Sequence, residues 1–204
     1  LGDVYKRQIS SNRPKIVVIG SCNTDMVVKA NRLPVPGETI LGGTFYMNPG
    51  GKGANQAIAA ARLGAEVTFI SKIGYDLFGL QALEIYRSEK INTEFIFTDQ
   101  KSPSGVALIS VDSFGENSII VAPGASRSLS TEDINKAEEK IKEADIILMQ
   151  LEVPIDTVEY AATIANRYGK KVILNPAPAS TLSNSFLNNV HTILPVSYTH
   201  LRAH

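Results

Sequence analysis

The chain has 204 residues, long enough for one sizeable core with a small appended element at about 100–200 residues per domain. It carries 20 Lys and Arg against 20 Asp and Glu, so no net charge builds the field that holds nucleic acid or an acidic membrane surface; a small neutral ligand suits this balance. The single cysteine, Cys22, excludes an internal disulfide, no Cys/His cluster has metal-ligand spacing, and no apolar run approaches the roughly 18 residues of a membrane span, so a soluble cytoplasmic protein without leader or structural zinc is expected.

In chain order, "KIVVIG" (15–20) is short, β-branched and closed by glycine, the pattern of a strand buried on both faces. Similar runs follow at 67–70, 145–151, 172–174 and 192–194, and between most of them lie segments with apolar residues three and four apart, which predict helices over 54–63, 77–89, 131–142 and 155–168. Ser130 or Thr131 can cap the third helix, whose first turn carries Glu132 and Asp133, and Gly64 and Gly169 stand as C-terminal stops. Alternating strands and helices imply an α/β fold of parallel βαβ units with right-handed crossovers. Two regions break the pattern. Residues 25–47 are irregular, and 105–121 read as a hairpin, "GVALISV" and "NSIIV" flanking "DSFGE"; together they predict a small separate β-sheet.

The stretch "NPGGKGANQAIAAARLG" (48–64) places three of its four glycines and Lys52 around the start of an alanine-rich helix. It fits neither phosphate motif: in GxxxxGK followed by Ser or Thr the lysine precedes a hydroxyl, whereas Lys52 precedes Gly53, and no start gives the three glycines of GxGxxG. Glycine still permits close backbone approach, and unpaired N–H groups at a helix start attract a polar or anionic ligand; a plain glycine turn into a packed helix is the other reading.

In an open parallel sheet, ligands bind beyond the carboxyl ends of the strands. Asn23 and Asp25 follow the first strand at i, i+2 spacing, which points both side chains to one face; Glu152 follows the 145–151 run, and Asn175 follows 172–174. Carboxylates and amides converging on a glycine backbone suit a ligand with several hydroxyls, a sugar, because one carboxylate can accept from two vicinal hydroxyls. Each residue also has a structural reading: Asn23 or Asp25 satisfying turn amides, Glu152 capping the next helix, Asn175 forming a turn before Pro176, Lys52 as a solvated surface charge. Cys22 reads as a small buried side chain, and His191, His200 and His204 have no nucleophile beside them.

The segments "GSCNTD" (20–25), "PGET" (36–39), "GGKGANQA" (50–57), "SGVALI" (104–109), "MQLE" (149–152) and "NPAPA" (175–179), in this order, resemble the ribokinase group of the PfkB sugar kinase family over residues 15–195. The resemblance implies a three-layer sandwich with a mostly parallel central sheet and a small β-sheet lid from about 25–47 and 105–121. It implies ATP-dependent phosphorylation of D-ribose at its 5-hydroxyl, with Mg2+ required and K+ activating, and a homodimer formed through the lids. The implied sugar contacts are Asn23, Asp25, Gly51, Lys52, Gly53, Ala54, Asn55 and Glu152, with Ala107 and Ile109 as lid positions against the sugar. The family's catalytic Asp belongs to a G-A-G-D motif without counterpart in this chain, and most of its nucleotide site likewise; the resemblance assigns no catalytic, nucleotide or metal residue here, and implies that these 204 residues alone are inactive. "LGDVYKRQ" (1–8) and "VSYTHLRAH" (196–204) have no family counterpart, which marks 9–195 as a partial kinase domain between a non-family leader and tail. A family kinase for fructose or adenosine, and a non-catalytic sugar-binding protein, are the alternative functions.

Overall fold

The computed structural model describes residues 13–195; the expected leader 1–8 and tail 196–204, with His200 and His204, lie outside them. The described chain builds two sheets. The larger takes β1 (Lys15–Ile19), β4 (Glu66–Gly74), β5 (Ile96–Asp99), β8 (Ile146–Met149), β9 (Lys171–Leu174) and β10 (Thr192–Ile193) in the order β10-β9-β8-β1-β4-β5, with every pairing parallel. The smaller takes β2 (Asn23–Lys29), β3 (Thr44–Gly50), β6 (Gly105–Val111) and β7 (Asn117–Ala122) in the order β3-β2-β6-β7.

Helices cover both faces of the large sheet, giving the expected three layers. α1 (Lys52–Arg62) and α2 (Leu77–Ser88) pack on one face; α3 (Thr131–Lys136), α4 (Glu138–Glu143), α5 (Ile155–Arg167) and α6 (Asn184–Leu187) pack on the other. The two-residue period of β1 divides its side chains accordingly: Val18 joins the α1/α2 core, while Val17 and Ile19 join the α3–α6 core. Each such fully buried branched side chain contributes about 1.5–3 kcal/mol of transfer free energy, so this short strand anchors both layers. α1 buries Ala54, Ala57 and Ala60, whose small side chains let it lie close to the sheet, and Gly64, at φ 96°, ends it. The Asp76 side chain caps α2 by accepting from Gly79 N, and Tyr86 packs edge-on against Phe69 with centroids 5.4 Å apart.

The helix expected over 131–142 is two short helices. Ser130 caps the first in a capping box with Asp133, and the helical path breaks at Ala137, which is fully buried; Ile134, Ala137 and Ile141 nevertheless stay on one core-facing stripe. β5 is an additional edge strand. The small sheet is wider than 25–47 suggested, since β2 begins at Asn23 and β3 ends at Gly50. Its β2–β6 pairing is parallel and therefore needs a long crossover, which here runs through β4, α2 and β5 of the large sheet.

Directly paired strand residues share a face. Asn23, Asp25 and Val27 thus lie on one face with Gly105, Ala107 and Ile109. The opposite face presents Val28, Phe45, Met47, Leu108 and Ile120, all exposed. Among the described residues no helix is long and apolar enough to cross a membrane.

Candidate functional site

The site forms where the chain leaves β1 for β2. Gly20 N donates to Ile70 O at 3.1 Å and Gly20 O accepts from Ser71 Oγ at 2.7 Å, so the turn is fixed to β4 before β2 begins. α1 then packs backbone to backbone on this turn: Ala54 N donates to Ser21 O at 2.9 Å, and a Cβ on Gly53 would run into the backbone of Gly20 and Ser21. Gly51, the N-cap of α1, has φ 90°, a left-handed conformation that L side chains rarely adopt. Glycine at 51 and 53 is therefore required by the turn and by the close approach.

Glu152, just beyond β8, reaches this helix start. Its Oε1 accepts from Lys52 Nζ at 2.5 Å, and its Oε2 accepts from Lys52 N at 2.8 Å and from Ser21 Oγ at 2.5 Å. Burial by itself pushes its pKa up, but the hydrogen bonds from Lys52 and Ser21 outweigh burial and hold it below the ordinary Glu value. Glu152 does not cap α5, whose N-cap is Pro154 without a side-chain bond.

Asn23 is 7% exposed and its Oδ1 is buried with no hydrogen-bond partner. That oxygen lies over Gly105, where a Cβ would overlap it; the Asp25 carboxylate lies over Gly50 in the same way. Burial, and secondarily the charge of Glu152, raise the Asp25 pKa, while Lys52 lowers it. A buried amide oxygen without a donor and a carboxylate held at a desolvation cost are acceptors prepared for donors from outside the chain.

A cleft of about 340 Å³ opens beside these groups, with Ser21, Asn23, Lys52, Arg127 and Glu152 on its polar side and Val121 and Leu151 on its apolar side. The structure thus brings Asn23, Lys52 and Glu152 to one cavity, with Asp25 electrostatically coupled to Lys52 and Glu152. Asp25, Ala107 and Ile109 do not line the cleft itself; Ala107 is paired opposite Asp25 and buried, and Ile109 lies one pair further out, half-buried. Gly53 and Ala54 are buried beneath the turn, and Asn55 is exposed on the first turn of α1. Asn175 sits at the end of β9, its N donating to Met149 O while its Oδ1 is buried and unpaired. Cys22 is 3% exposed and burial pushes its thiol up to about 11, which keeps it protonated and unreactive.

Sequence reasoning missed Ser21, Arg127 and the clefts's apolar wall. Ser21 is a single hydroxyl whose carboxylate partner is 131 residues away. Arg127 follows the small sheet on a 3-10 turn (Gly124–Ser128) fixed by fully buried Ser126, whose Oγ donates to Cys22 O, and by Ser128, whose Oγ donates to Asp99. Arg127 makes no ion pair among the described residues. Altogether the cleft offers the Asn23 acceptor, one internally neutralised ion pair and the Arg127 cation, unpaired among the described residues, an arrangement suited to a polyhydroxy compound that carries or receives an anionic group.

Comparison with known proteins agrees with this chemistry. Ribokinase of Haemophilus influenzae is 45% identical over 183 residues, covering 90% of this chain and 60% of that protein. Deoxyribokinase of Salmonella typhi is 42% identical over 164 residues, covering 80% of this chain and 54% of that protein. The structure of Arabidopsis thaliana ribokinase complexed with ribose and ATP superposes with a TM-score of 0.78 at 31% identity, covering 90% of this chain and 60% of that one. The chain thus spans 60% or less of the length of these relatives. The family model for the pfkB family carbohydrate kinases matches residues 13–198, and the chain belongs to that family.

Proposed function

We propose that the protein carrying this chain transfers phosphate from ATP to the 5-hydroxyl of D-ribose, giving D-ribose 5-phosphate, and that this chain contributes the sugar-binding side of the site. The observation that carries the reading is the convergence of Asn23 and Asp25, on one face of β2, with the Gly50–Gly53 turn and the Lys52–Glu152 pair. Asn23 Oδ1 and the Asp25 carboxylate accept sugar hydroxyls. Gly51, Lys52 and Gly53 give close backbone approach, and Asn55 adds a side chain at the mouth. Ala107 and Ile109 close the lid face over the ring. Glu152 acts here through Lys52, since Lys52 and Ser21 already engage both of its oxygens.

ATP supplies the phosphoryl group. Arg127, without an acidic partner among the described residues, is placed to meet an anionic group in the cleft, such as the phosphate of the product. Mg2+ and K+ belong to the same proposal, but among the described residues no group of three or more His, Cys, Asp or Glu is placed to hold a metal ion, so no residue of this chain is assigned to either. A homodimer through the exposed apolar face of the small sheet, with Leu108 on the inner strand β6 paired to Ile120 on the edge strand β7, completes the proposal, because so small a sheet has little core of its own. A single buried free cysteine suits a reducing cytoplasm.

The similarity to a deoxyribokinase favours 2-deoxyribose as the second reading. The deciding measurement is kcat/KM of the full-length protein with ATP and Mg2+ across D-ribose, 2-deoxyribose, fructose and adenosine, with calorimetry of each compound. D-ribose is expected to lead. Preference for another member of the panel overturns the substrate, and sugar binding without phosphorylation favours the non-catalytic alternative.

A further inference from the structure

Two glutamines of the glycine-run and strand-end segments have no part in the sugar contacts above. Gln56 stands four residues after Lys52 on α1, which places both on one helix face, and Gln150 stands two residues before Glu152 in the bend that follows β8. The two elements therefore meet in two rungs: Lys52 Nζ on Glu152 Oε1 at 2.5 Å in the cleft, and Gln150 Nε2 on Gln56 Oε1 at 2.5 Å behind it. We propose that Gln56 and Gln150 are positioning residues which set the separation of α1 from the turn after β8, and so hold Lys52 against Glu152 at the sugar site. The inference rests on the sugar-kinase reading of that site.

Stability alone does not account for a glutamine at 150. The residue is fully buried, and its Oε1 has no hydrogen-bond partner and rests against Gly20, where a Cβ would overlap it. An apolar side chain of the same length would fill the space without an orphaned acceptor, so the amide costs the fold something that its single bond to Gln56 only partly offsets. What the amide supplies is a directional link of fixed length. It is also uncharged. A carboxylate there would stand two residues from Glu152 and raise the pKa that Lys52 and Ser21 hold down.

The test uses the full-length protein with Gln56→Met, Gln150→Met and the double variant. Each single variant is expected to raise the KM and calorimetric Kd for ribose about 10- to 100-fold, the scale of one lost hydrogen bond to a charged group, with kcat changed less and the melting temperature level or higher. The double variant should be no weaker than either single one, and in a Lys52→Met background Gln150→Met should have no further effect on affinity. A crystal structure of Gln150→Met should show the Lys52–Glu152 pair open beyond about 4 Å, a readout independent of the sugar. An unchanged ribose Kd, an intact ion pair in the crystal, or an undiminished effect in the Lys52→Met background overturns the inference. Failure of the unmodified protein to bind ribose refutes the functional reading instead, and the crystallographic distance then still decides the positioning claim.

Discussion

Gly50→Ala displaces Asp25 without altering its charge. Gly50 closes β3, and its φ is not among the positive values that penalise alanine, so the backbone accepts the substitution. Space does not: the new methyl would overlap Cγ and both carboxylate oxygens of Asp25 and nothing else so closely. The carboxylate is the terminal group of a rotatable side chain, so it moves, and the hydrogen bonds it would accept from sugar hydroxyls are lost. A hydrogen bond to a charged group contributes about 1.5–3 kcal/mol, which predicts ribose binding roughly 10- to 150-fold weaker, with folding stability lowered by no more than the ~1–3 kcal/mol of a typical overpacked site. Calorimetry on Gly50→Ala, Asp25→Ala and the double variant measures the coupling. Once Asp25 is truncated the methyl has nothing to displace, so Gly50→Ala should add nothing in that background. Equal losses with and without the Asp25 side chain would refute the reasoning, as would full affinity in Gly50→Ala.

Four further outcomes are expected. The raised pKa of Asp25 means that its acceptor form is lost on acidification at a pH above the ordinary Asp value of 3.8, so ribose affinity should fall there; Lys52→Met removes the opposing charge and should move the acid limb higher, and a limb that stays put in a pH titration of Kd would exclude Asp25 as the titrating group. Because a carboxyl with a raised folded pKa opposes folding above its unfolded pKa, Asp25→Asn should leave stability at neutral pH level or increased, read as the midpoint of denaturant unfolding. Lys72 and Asp133 form an ion pair at 2.8 Å with side chains 16% and 6% exposed; Lys72→Met leaves the carboxylate its Ser130 bonds and the more distant Lys136, and should cost about 1–3 kcal/mol, so an unchanged denaturation midpoint would show that the pair is solvated. Leu108→Lys with Ile120→Lys should convert the full-length protein to a monomer in sedimentation, and a persistent dimer would place the interface elsewhere.

The large sheet was legible because β1, β4, β8 and β9 are short apolar runs rich in branched side chains, too short for helices and separated by segments of helical period. β5 escaped notice because its four residues IFTD alternate in burial at the sheet edge and form no run. The break at Ala137 carries no glycine or proline and so leaves no mark in the sequence; both short helices pack against α5. At the site, the shared face of Asn23 and Asp25 followed from strand period alone. The partners of Glu152 did not, because Lys52 and Ser21 are 100 and 131 residues away and their spacing to Glu152 carries no periodic signal.

Those separations bear on how the protein folds. β2 carries Asn23 and Asp25, the acceptors proposed for the sugar, yet it pairs with β6, about 80 residues further on, and the helix start it faces is clamped by Glu152 100 residues beyond Lys52. Chain closure over such distances is slow and comes after local helices and neighbouring strands have formed. The cleft is therefore expected to close only with the β1–β8 pairing, whose partners are 130 residues apart, and to be unformed in the folding transition state. Ribose should accordingly slow unfolding in proportion to its occupancy while leaving the refolding rate unchanged, so that the sugar protects the finished protein without helping to make it.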